Sequence, residues 1–377
     1  MKKIILAANS SWYLLNFRSS SIIKLINSGY KVICLAPFDS HTEALKNLGC
    51  EWVEIKMNSQ GVNLFQDLKL LLSLVRFYRS EKPLAIFHFT LKLNIYGAWA
   101  SRLSQSKCIN NISGLGTAFI HPNIVSLLIK ILYKLSQCFA HKIFCQNIED
   151  FNLLVEQRLV PVDRLELLPG SGVNLKKFHP KLKQARPADE VPIFLYVGRM
   201  LADKGLRELI EAISSLNQKD IICKLVLCGY TNNANHSNIS IRELNDWSEL
   251  PGISWIGPSE DVPSVMANVD AVVLPSYREG MPRSILEACA MGLPAIVTNV
   301  PGCSNIIQDN INGFLCHPKD IDSLKNVLQK MINLHPTKRV AMGAAGRDIV
   351  EKGFNEEFVV QKLIDVINLI ELSRSSS

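Results

Sequence analysis

The chain contains no uninterrupted apolar stretch near the roughly 18 residues that a membrane-spanning helix requires, which excludes an integral membrane reading. Its ten cysteines are scattered, with no C-x-x-C pair and no cluster at metal-ligand spacing. That excludes a disulfide framework and predicts no bound metal; the thiols read as reduced core residues of a cytosolic protein. Arginines and aromatics are not interleaved in the pattern of a nucleic-acid surface, so no nucleic-acid partner is expected. No internal repeat recurs, so a solenoid is excluded. Met1-Lys2-Lys3 imitates the basic head of a signal peptide, but only Ile4–Ala8 is apolar before Asn9, so the segment reads as a first β-strand.

What is present is a chain of 377 residues, 47% apolar and 20% charged, a size at which two domains are the default. Short apolar runs alternate with amphipathic stretches and tight punctuation throughout, the βαβα pattern of a doubly wound parallel sheet. The first helix is expected from about Phe17 to Asn27, after a turn over Asn9–Asn16. The polar, proline-bearing stretch Pro180–Pro192 reads as a linker. It divides the chain into Rossmann-like domains at 1–180 and 181–355, facing across a cleft, with a last amphipathic helix, 356–372, returning to the first.

Charge is unevenly shared. Residues 1–180 hold 21 Lys and Arg against 11 Asp and Glu, a net of +10, while the remainder holds 20 against 23. A basic first half predicts an anionic partner, either a lipid face or a phosphorylated acceptor. Pro122–Phe139 carries a wide apolar face with Lys130 and Lys134 one turn apart. Such a helix is commonly domain core; beside the basic half, it suits a peripheral position on an anionic membrane.

The chain is organised around Ser276–Pro294, SYREGMPRSILEACAMGLP. It follows Ala271-Val272-Val273-Leu274, a buried-strand pattern. Pro282 suits a helix's first turn, Ile285, Leu286, Cys289 and Ala290 recur at helical spacing, and Gly292 and Pro294 end the helix. Glu279 falls in the loop and Glu287 on the helix, so both can line the crevice at the sheet's C-terminal edge. The free backbone N–H groups at the helix start, in the span from Gly280 through Met281 and Pro282 to Arg283 (the proline itself having none), suit a phosphate. A second loop, Gly198-Arg199 through Lys204-Gly205, follows the strand Ile193–Val197 and adds two cations. Two cations and two hydroxyl-binding carboxylates together fit a sugar nucleotide, whose diphosphate gains charge as its bond to the sugar breaks.

These segments resemble the retaining family 4 glycosyltransferases of the GT-B fold. The resemblance covers most of the chain and is carried by YVGRMLADKG (196–205), DVPSVMANVDAVVLPSYREGMPRSILEACAMGLPAIVTNVPG (261–302) and NGFLC (312–316). The first half adds FTLKLNIYGAWASRL (89–103), NNISGLGTAF (110–119) and LLPGSGVNLKKFHP (167–180). The branch it looks like assembles bacterial surface and lipid-linked glycans. The resemblance implies a UDP-sugar donor, most simply carrying an N-acetylhexosamine, and a lipid-pyrophosphate-linked glycan acceptor. It places Arg199 and Lys204 on the donor diphosphate, Glu279 on the transferred sugar and Glu287 on the ribose. Gly198, Gly280, Met281, Pro282 and Arg283 stand beside the donor, and the loops after Cys228 and around Trp255–Gly257 stand beside the base. It further implies retention without a protein nucleophile, the acceptor hydroxyl attacking on the face the leaving group vacates. No metal and no cofactor are implied, since the cations replace the metal and no D-x-D motif stands where one would be needed. The expected location is cytoplasmic, peripheral on the inner membrane. Two other readings of the same residues are a sugar-nucleotide epimerase and a non-catalytic sugar-nucleotide-binding subunit.

One departure concerns the first loop, Asn9–Tyr13, which lacks the Gly-Gly pair of many relatives. Either the donor is approached less closely there, or the side-chain hydroxyls and the Trp12 ring meet the acceptor. Among the remaining candidates, Arg18 at the start of the first helix and Lys92 after a strand edge suit an acceptor phosphate. His88 reads as a core histidine or a general base, and Gly114-Leu115-Gly116 as a tight turn open to close substrate approach.

Overall fold

The computed structural model describes residues 1–58, 63–114, 124–183, 190–218, 220, 222–231 and 237–375. The chain divides into two compact units, Met1–Ser171 with Glu356–Ser377, and Gly172–Asn355.

The first unit is built on seven parallel strands: β1 (Lys3–Ala7), β2 (Lys31–Ala36), β3 (Glu51–Glu54), β4 (Ala85–His88), β5 (Cys108–Ile112), β6 (Lys142–Cys145) and β7 (Leu165–Leu167). Their order is β3-β2-β1-β4-β5-β6-β7, so the winding reverses between β1 and β4. Helices α1 (Ser11–Asn27), α2 (Thr42–Lys46), α3 (Leu64–Glu81), α4 (Ala98–Leu103), α5 (Ile124–Gln137) and α6 (Ile148–Glu156) connect the strands. Sheet residues alternate between two cores. Ile4, Leu6, Phe87, Phe89, Ile109 and Phe144 pack towards α1, while Ile5, Ile86, Ile112 and Ile143 pack towards α3 and α5.

Helix α1 starts at Ser11, well before the Phe17 that the sequence suggests. Ser10 caps it, its hydroxyl accepting from the Tyr13 amide at 3.1 Å; a serine at N-cap offsets an orphaned amide. Most of the expected turn over Asn9–Asn16 is therefore helix. Ser11 is committed to the fold, donating to the Pro37 carbonyl and accepting from the Trp52 indole at 3.0 Å. The Trp12 ring stands edge-on to Phe17, with centroids 5.4 Å apart.

The second unit holds β8 (Ile193–Val197), β9 (Lys224–Cys228), β10 (Ile253–Trp255), β11 (Ala271–Leu274), β12 (Ala295–Thr298) and β13 (Gly313–Cys316), ordered β10-β9-β8-β11-β12-β13 and all parallel. Its helices are α7 (Leu206–Leu216), α8 (Ile241–Ser248), α9 (Val262–Met266), α10 (Arg283–Ala290), α11 (Ile321–Asn333) and α12 (Pro336–Gly353). Here the winding reverses between β8 and β11, where Ala271 pairs with Phe194 and Val272 with Leu195. The last helix, α13 (Glu356–Ser375), belongs to the first unit, burying Val359, Leu363, Val366, Ile367 and Ile370 beside Ile4 and Leu6.

The passage between units lies at Ser171 and Gly172, earlier than the proline-bearing stretch. Val173 bridges to Asn355, Phe178 is core, and Arg347 donates to the carbonyls of Phe178 and Ala290 at 2.8 and 2.6 Å. These long-range contacts, invisible in local composition, hold 172–183 in the second unit. Two further elements depart from expectation. Asn305–Gln308, which suits a short helix by its sequence, is turn and loop. Helix α12 carries no recognisable helical pattern, because its glycines break the apolar period. Gly343 and Gly346 are what let α12 lie against α10: a Cβ on Gly343 would stand 2.0 Å from the Gly292 carbonyl oxygen.

Candidate functional site

The second unit's site is made by the loops after β8 and β11, the two strands flanking the winding reversal, where open α/β sheets bind ligands. After β8 the chain runs Gly198 to Gly205, and a short 3-10 turn, Ala202–Lys204, ends on Gly205 at φ +71°. Only glycine fits there, because a Cβ would stand 2.1 Å from the Pro275 carbonyl oxygen of the other loop. The Tyr277 amide donates to the Asp203 carbonyl at 3.0 Å, closing one loop on the other. This seam carries Lys204 onto Glu279. Its ammonium lies 2.5 Å from Glu279 Oε1, with side chains 16% and 13% exposed.

Ser276 also donates to Glu279 Oε1, at 2.7 Å. Two partners on one oxygen leave the second, Oε2, for a ligand hydroxyl. Nothing in the sequence assigns Ser276 a role, although its place two residues past a buried strand, three residues before a loop carboxylate, is the available signal. Tyr196 is equally silent in the sequence. It is fully buried, and its hydroxyl donates to the Arg199 carbonyl at 2.7 Å, anchoring that loop. Burial, with Glu279 next, pushes the Tyr196 phenol well above its usual range; the Arg199 charge opposes this. Arg199, Glu279 and Tyr196 are thus electrostatic neighbours, and the Arg199 side chain is exposed. Buried Cys303 senses Glu279 and Lys204 as well, its thiol pushed up mainly by burial. Its loop closes on the site because Gly302 (φ +82°) passes where a Cβ would be 2.5 Å from the Gly280 carbonyl oxygen.

Pro282 is the N-cap of α10 rather than part of its first turn, and it supplies no side-chain cap. Met281 packs on the core and Gly280 lines the seam beneath Gly302. From the first turn, Arg283 Nε lies 2.9 Å from Glu287 Oε1, one turn on. Burial raises the Glu287 carboxyl above its usual value, opposed by Arg283 and more weakly by Lys177. Gly198 bonds its amide to the Cys228 carbonyl at 3.0 Å. The loops after Cys228 and Trp255 are also joined, since Trp255 Nε1 donates to the Gly229 carbonyl at 3.0 Å and Gly229 to Gly257 at 2.9 Å. The structure therefore brings Arg199, Lys204 and Glu279 into one neighbourhood at the switch point, with the Arg283–Glu287 pair on the helix that follows it.

The first-unit candidates divide. His88 is fully buried: Nδ1 lies 2.8 Å from Asn110 Oδ1, and Nε2 lies 3.1 Å from the Tyr78 hydroxyl. Burial lowers its pKa to about 4. Both nitrogens are engaged, so the ring is a core group rather than a base at a ligand. A π-helical turn, Leu93–Gly97, makes room for it, since a Cβ on Gly97 would be 2.4 Å from Nε2. Lys92 is paired with Asp67 at 2.8 Å, where Tyr96 also donates at 3.1 Å; its ammonium serves this cluster. Arg18 is 1% exposed, on the second turn of α1, not a solvated residue at its start. Gly116 lies outside the described residues.

Comparison with known proteins gives the family and the fold. The family described as "Glycosyl transferases group 1" matches residues 178–349, and "Glycosyl transferase 4-like" matches 3–147. The chain is 26% identical over 369 residues (94% of this chain, 95% of the relative) to the N,N'-diacetylbacillosaminyl-diphospho-undecaprenol alpha-1,3-N-acetylgalactosaminyltransferase of Campylobacter jejuni. It is 26% identical over 324 residues (81% of each) to the UDP-Gal:alpha-D-GlcNAc-diphosphoundecaprenol alpha-1,3-galactosyltransferase of Escherichia coli. Among solved structures, a glycosyltransferase of Rickettsia africae superposes with a TM-score of 0.77 at 20% identity, over 98% of both chains. The Anabaena HepE protein in complex with UDP and glucose does so at 0.79 and 17% identity, over 98% of this chain and 100% of that one. With a family match on each unit, and two parallel sheets that each reverse their winding, the chain belongs to the family 4 glycosyltransferases of the GT-B fold.

Proposed function

We propose that this glycosyltransferase moves a sugar, an N-acetylhexosamine or a close relative, from a UDP donor to a lipid-diphosphate-linked glycan, retaining anomeric configuration and needing no metal. The observation that carries the reading is the meeting of Lys204 and Glu279 across the switch point, 75 residues apart in the chain and 2.5 Å apart in space. Lys204 and Arg199 supply the positive charge that a departing nucleoside diphosphate requires. Glu279, fixed by Lys204 and Ser276, orients the sugar's hydroxyls, and Glu287 the ribose. The acceptor hydroxyl attacks on the face the diphosphate leaves, and the donor phosphate takes its proton; positioning and electrostatics carry the rate. The acceptor class is supported by the two relatives above, both named for transfer onto diphospho-undecaprenol-linked sugars.

Acceptor-dependent UDP release across a panel of UDP-sugars and a short lipid-diphosphate glycan tests this. Release without acceptor dependence would sink the acceptor assignment, and an inverted anomeric centre by NMR would sink retention. Activity abolished by chelator and restored by a divalent cation would sink metal independence.

The same reading places the enzyme on the cytoplasmic face of an anionic membrane through its first unit. No described helix is long and apolar enough to cross a membrane. On α5, however, Leu127, Leu128, Ile131 and Leu135 are exposed on one face, next to exposed Lys134. On α3, Leu64, Phe65, Leu68 and Leu72 repeat that spacing, a stripe that only their exposure distinguishes from core. Apolar stripes edged with lysine suit a lipid interface. Recovery only in the soluble fraction at low salt would overturn this; release from vesicles by high salt is the expected result.

A further inference from the structure

Arg18 is buried at 1% exposure with no acidic side chain paired to it among the described residues. Its Nη2 reaches the Tyr13 hydroxyl at 3.4 Å, and its guanidinium carbon lies 4.2 Å from the Phe89 ring centroid. Nε and Nη1 have no hydrogen-bond partner among the described residues. Arginine stays charged in proteins, and a buried charge without a counter-charge is costly in a way that ring contacts alone do not offset.

A second orphaned donor stands nearby. Asn111 is 1% exposed, its Oδ1 accepts from Gln146 at 3.5 Å, and its Nδ2 has no acceptor among the described residues. The pairing of His88 with Asn110 puts Asn111 beside Phe89 on the next strand. Asn111 alternates in phase with Ile109, and so shares the face that carries Phe87 and Phe89. Arg18 therefore lies over the ring of Phe89 while Asn111 stands beside it. Arg18 follows β1 and Phe89 follows β4, the two strands between which the winding of the first sheet turns and at which such sheets take ligands, and Asn111 lies near the end of the adjoining β5. Unmatched donors of a cation and an amide at one sheet edge call for an oxyanion.

We propose that Arg18 and Asn111 form an anion site in the first unit that binds a diphosphate, and, resting on the function proposed above, that this is the diphosphate of the lipid-linked acceptor. Phe89 is the platform that holds the guanidinium in place when the site is empty.

The test is calorimetric titration of the full chain, saturated with UDP to occupy the donor site, with inorganic pyrophosphate and separately with farnesyl diphosphate. Arg18→Met and Asn111→Ala are each expected to weaken both ligands at least about tenfold, the scale of a charge-assisted hydrogen bond. Lys204→Ala is expected to leave both unchanged. Arg18→Met is also expected to melt no lower than wild type without ligand, since it removes an unpaired buried charge. Tighter binding of farnesyl diphosphate than of pyrophosphate supports the lipid-linked source; the reverse order keeps the anion site and overturns the acceptor assignment. Unchanged affinities in both variants, a wild type that binds neither ligand, or loss confined to Lys204→Ala would overturn the site. A lower melting temperature in Arg18→Met with unaltered binding would make the arginine structural and overturn it equally. Should Arg18→Met not fold, the affinities of Asn111→Ala decide between the same outcomes. Failure of UDP to bind would count against the proposed donor alone, because loss of pyrophosphate and farnesyl diphosphate affinity in Arg18→Met and Asn111→Ala, but not in Lys204→Ala, still identifies the first-unit site.

Discussion

Replacing Lys204 with alanine separates an active-site cation from a surface ion pair. The pair it forms with Glu279 is 16% and 13% exposed, well short of the solvation that makes surface bridges nearly neutral. Removing the lysine leaves Glu279, among the described residues, with the Ser276 hydroxyl 2.7 Å away. A fully buried carboxylate stripped of its partner costs about 3–5 kcal/mol; with this residual exposure, about 1–3 kcal/mol is expected. On the function proposed above the catalytic loss is larger in effect, because Lys204 would then face charge that grows only as the bond to the diphosphate breaks. One such donor is worth roughly a hundredfold to a thousandfold in turnover, or about 2.7–4 kcal/mol. Acceptor-dependent UDP release and thermal melting should be read on Lys204→Ala, Ser276→Ala and the double variant. Ser276→Ala should cost stability but only a small factor in turnover, and the pair should be non-additive because both contact one oxygen. Turnover of Lys204→Ala within a few-fold of wild type, whatever its melting temperature, would remove Lys204 from the chemistry.

Three other outcomes follow from the geometry. Burial raises the Glu287 carboxyl from its usual 4.5, so its ionised form opposes folding at neutral pH. Glu287→Gln should raise the ligand-free melting temperature at pH 7, with the advantage vanishing as pH falls below about 4.5, while UDP affinity by calorimetry drops about tenfold; unchanged UDP affinity would remove Glu287 from the donor site. His88, held near pKa 4 against 6.5, makes wild type lose about 3 kcal/mol of stability between pH 6.5 and 4, because the unfolded chain takes the proton first. In His88→Gln denaturant titrations should show that acid loss diminished, with turnover at neutral pH within a few-fold of wild type; a large loss of turnover in a well-folded variant would restore the general-base reading. Gly205→Ala should lower turnover about a hundredfold by shifting the loop that carries Lys204, since its Cβ meets the Pro275 carbonyl at 2.1 Å; a variant with normal kinetics would show that the seam does not set the site.

Much of this is legible in linear order, for a physical reason. Strands buried on both faces read as continuous apolar runs, and helices that cover them read as amphipathic, so alternation along Lys3–Ile112 and Ile193–Val297 is local information. So are the glycines and prolines that end elements, which is why β11 and the end of α10 at Gly292 sit where the residues place them. The identities of Arg199, Lys204, Glu279 and Glu287 belong to the same layer, because each lies just past a strand or at a helix start. Helix α12 escapes it because packing against another helix calls for glycine, which erases the apolar period by which a helix is recognised. The start of α1 escapes because Ser10 and Ser11 suit a turn as well as a cap, and only the bonds they make choose between them.

Partnership is not legible. Lys92 and Lys204 both follow strand edges, and composition treats them alike; yet Lys92 stands on Asp67 and Tyr96, while Lys204 stands on the loop glutamate at a switch point. His88 and Arg18 are both candidate site groups by sequence and both are buried; their partners alone separate them, one ring with two and one guanidinium short of them. Residue type and spacing determine which elements form and which chemistry is carried to a sheet edge. Which charges meet there, and which are consumed by the core, depends on contacts between residues tens of positions apart, and only the folded chain decides those.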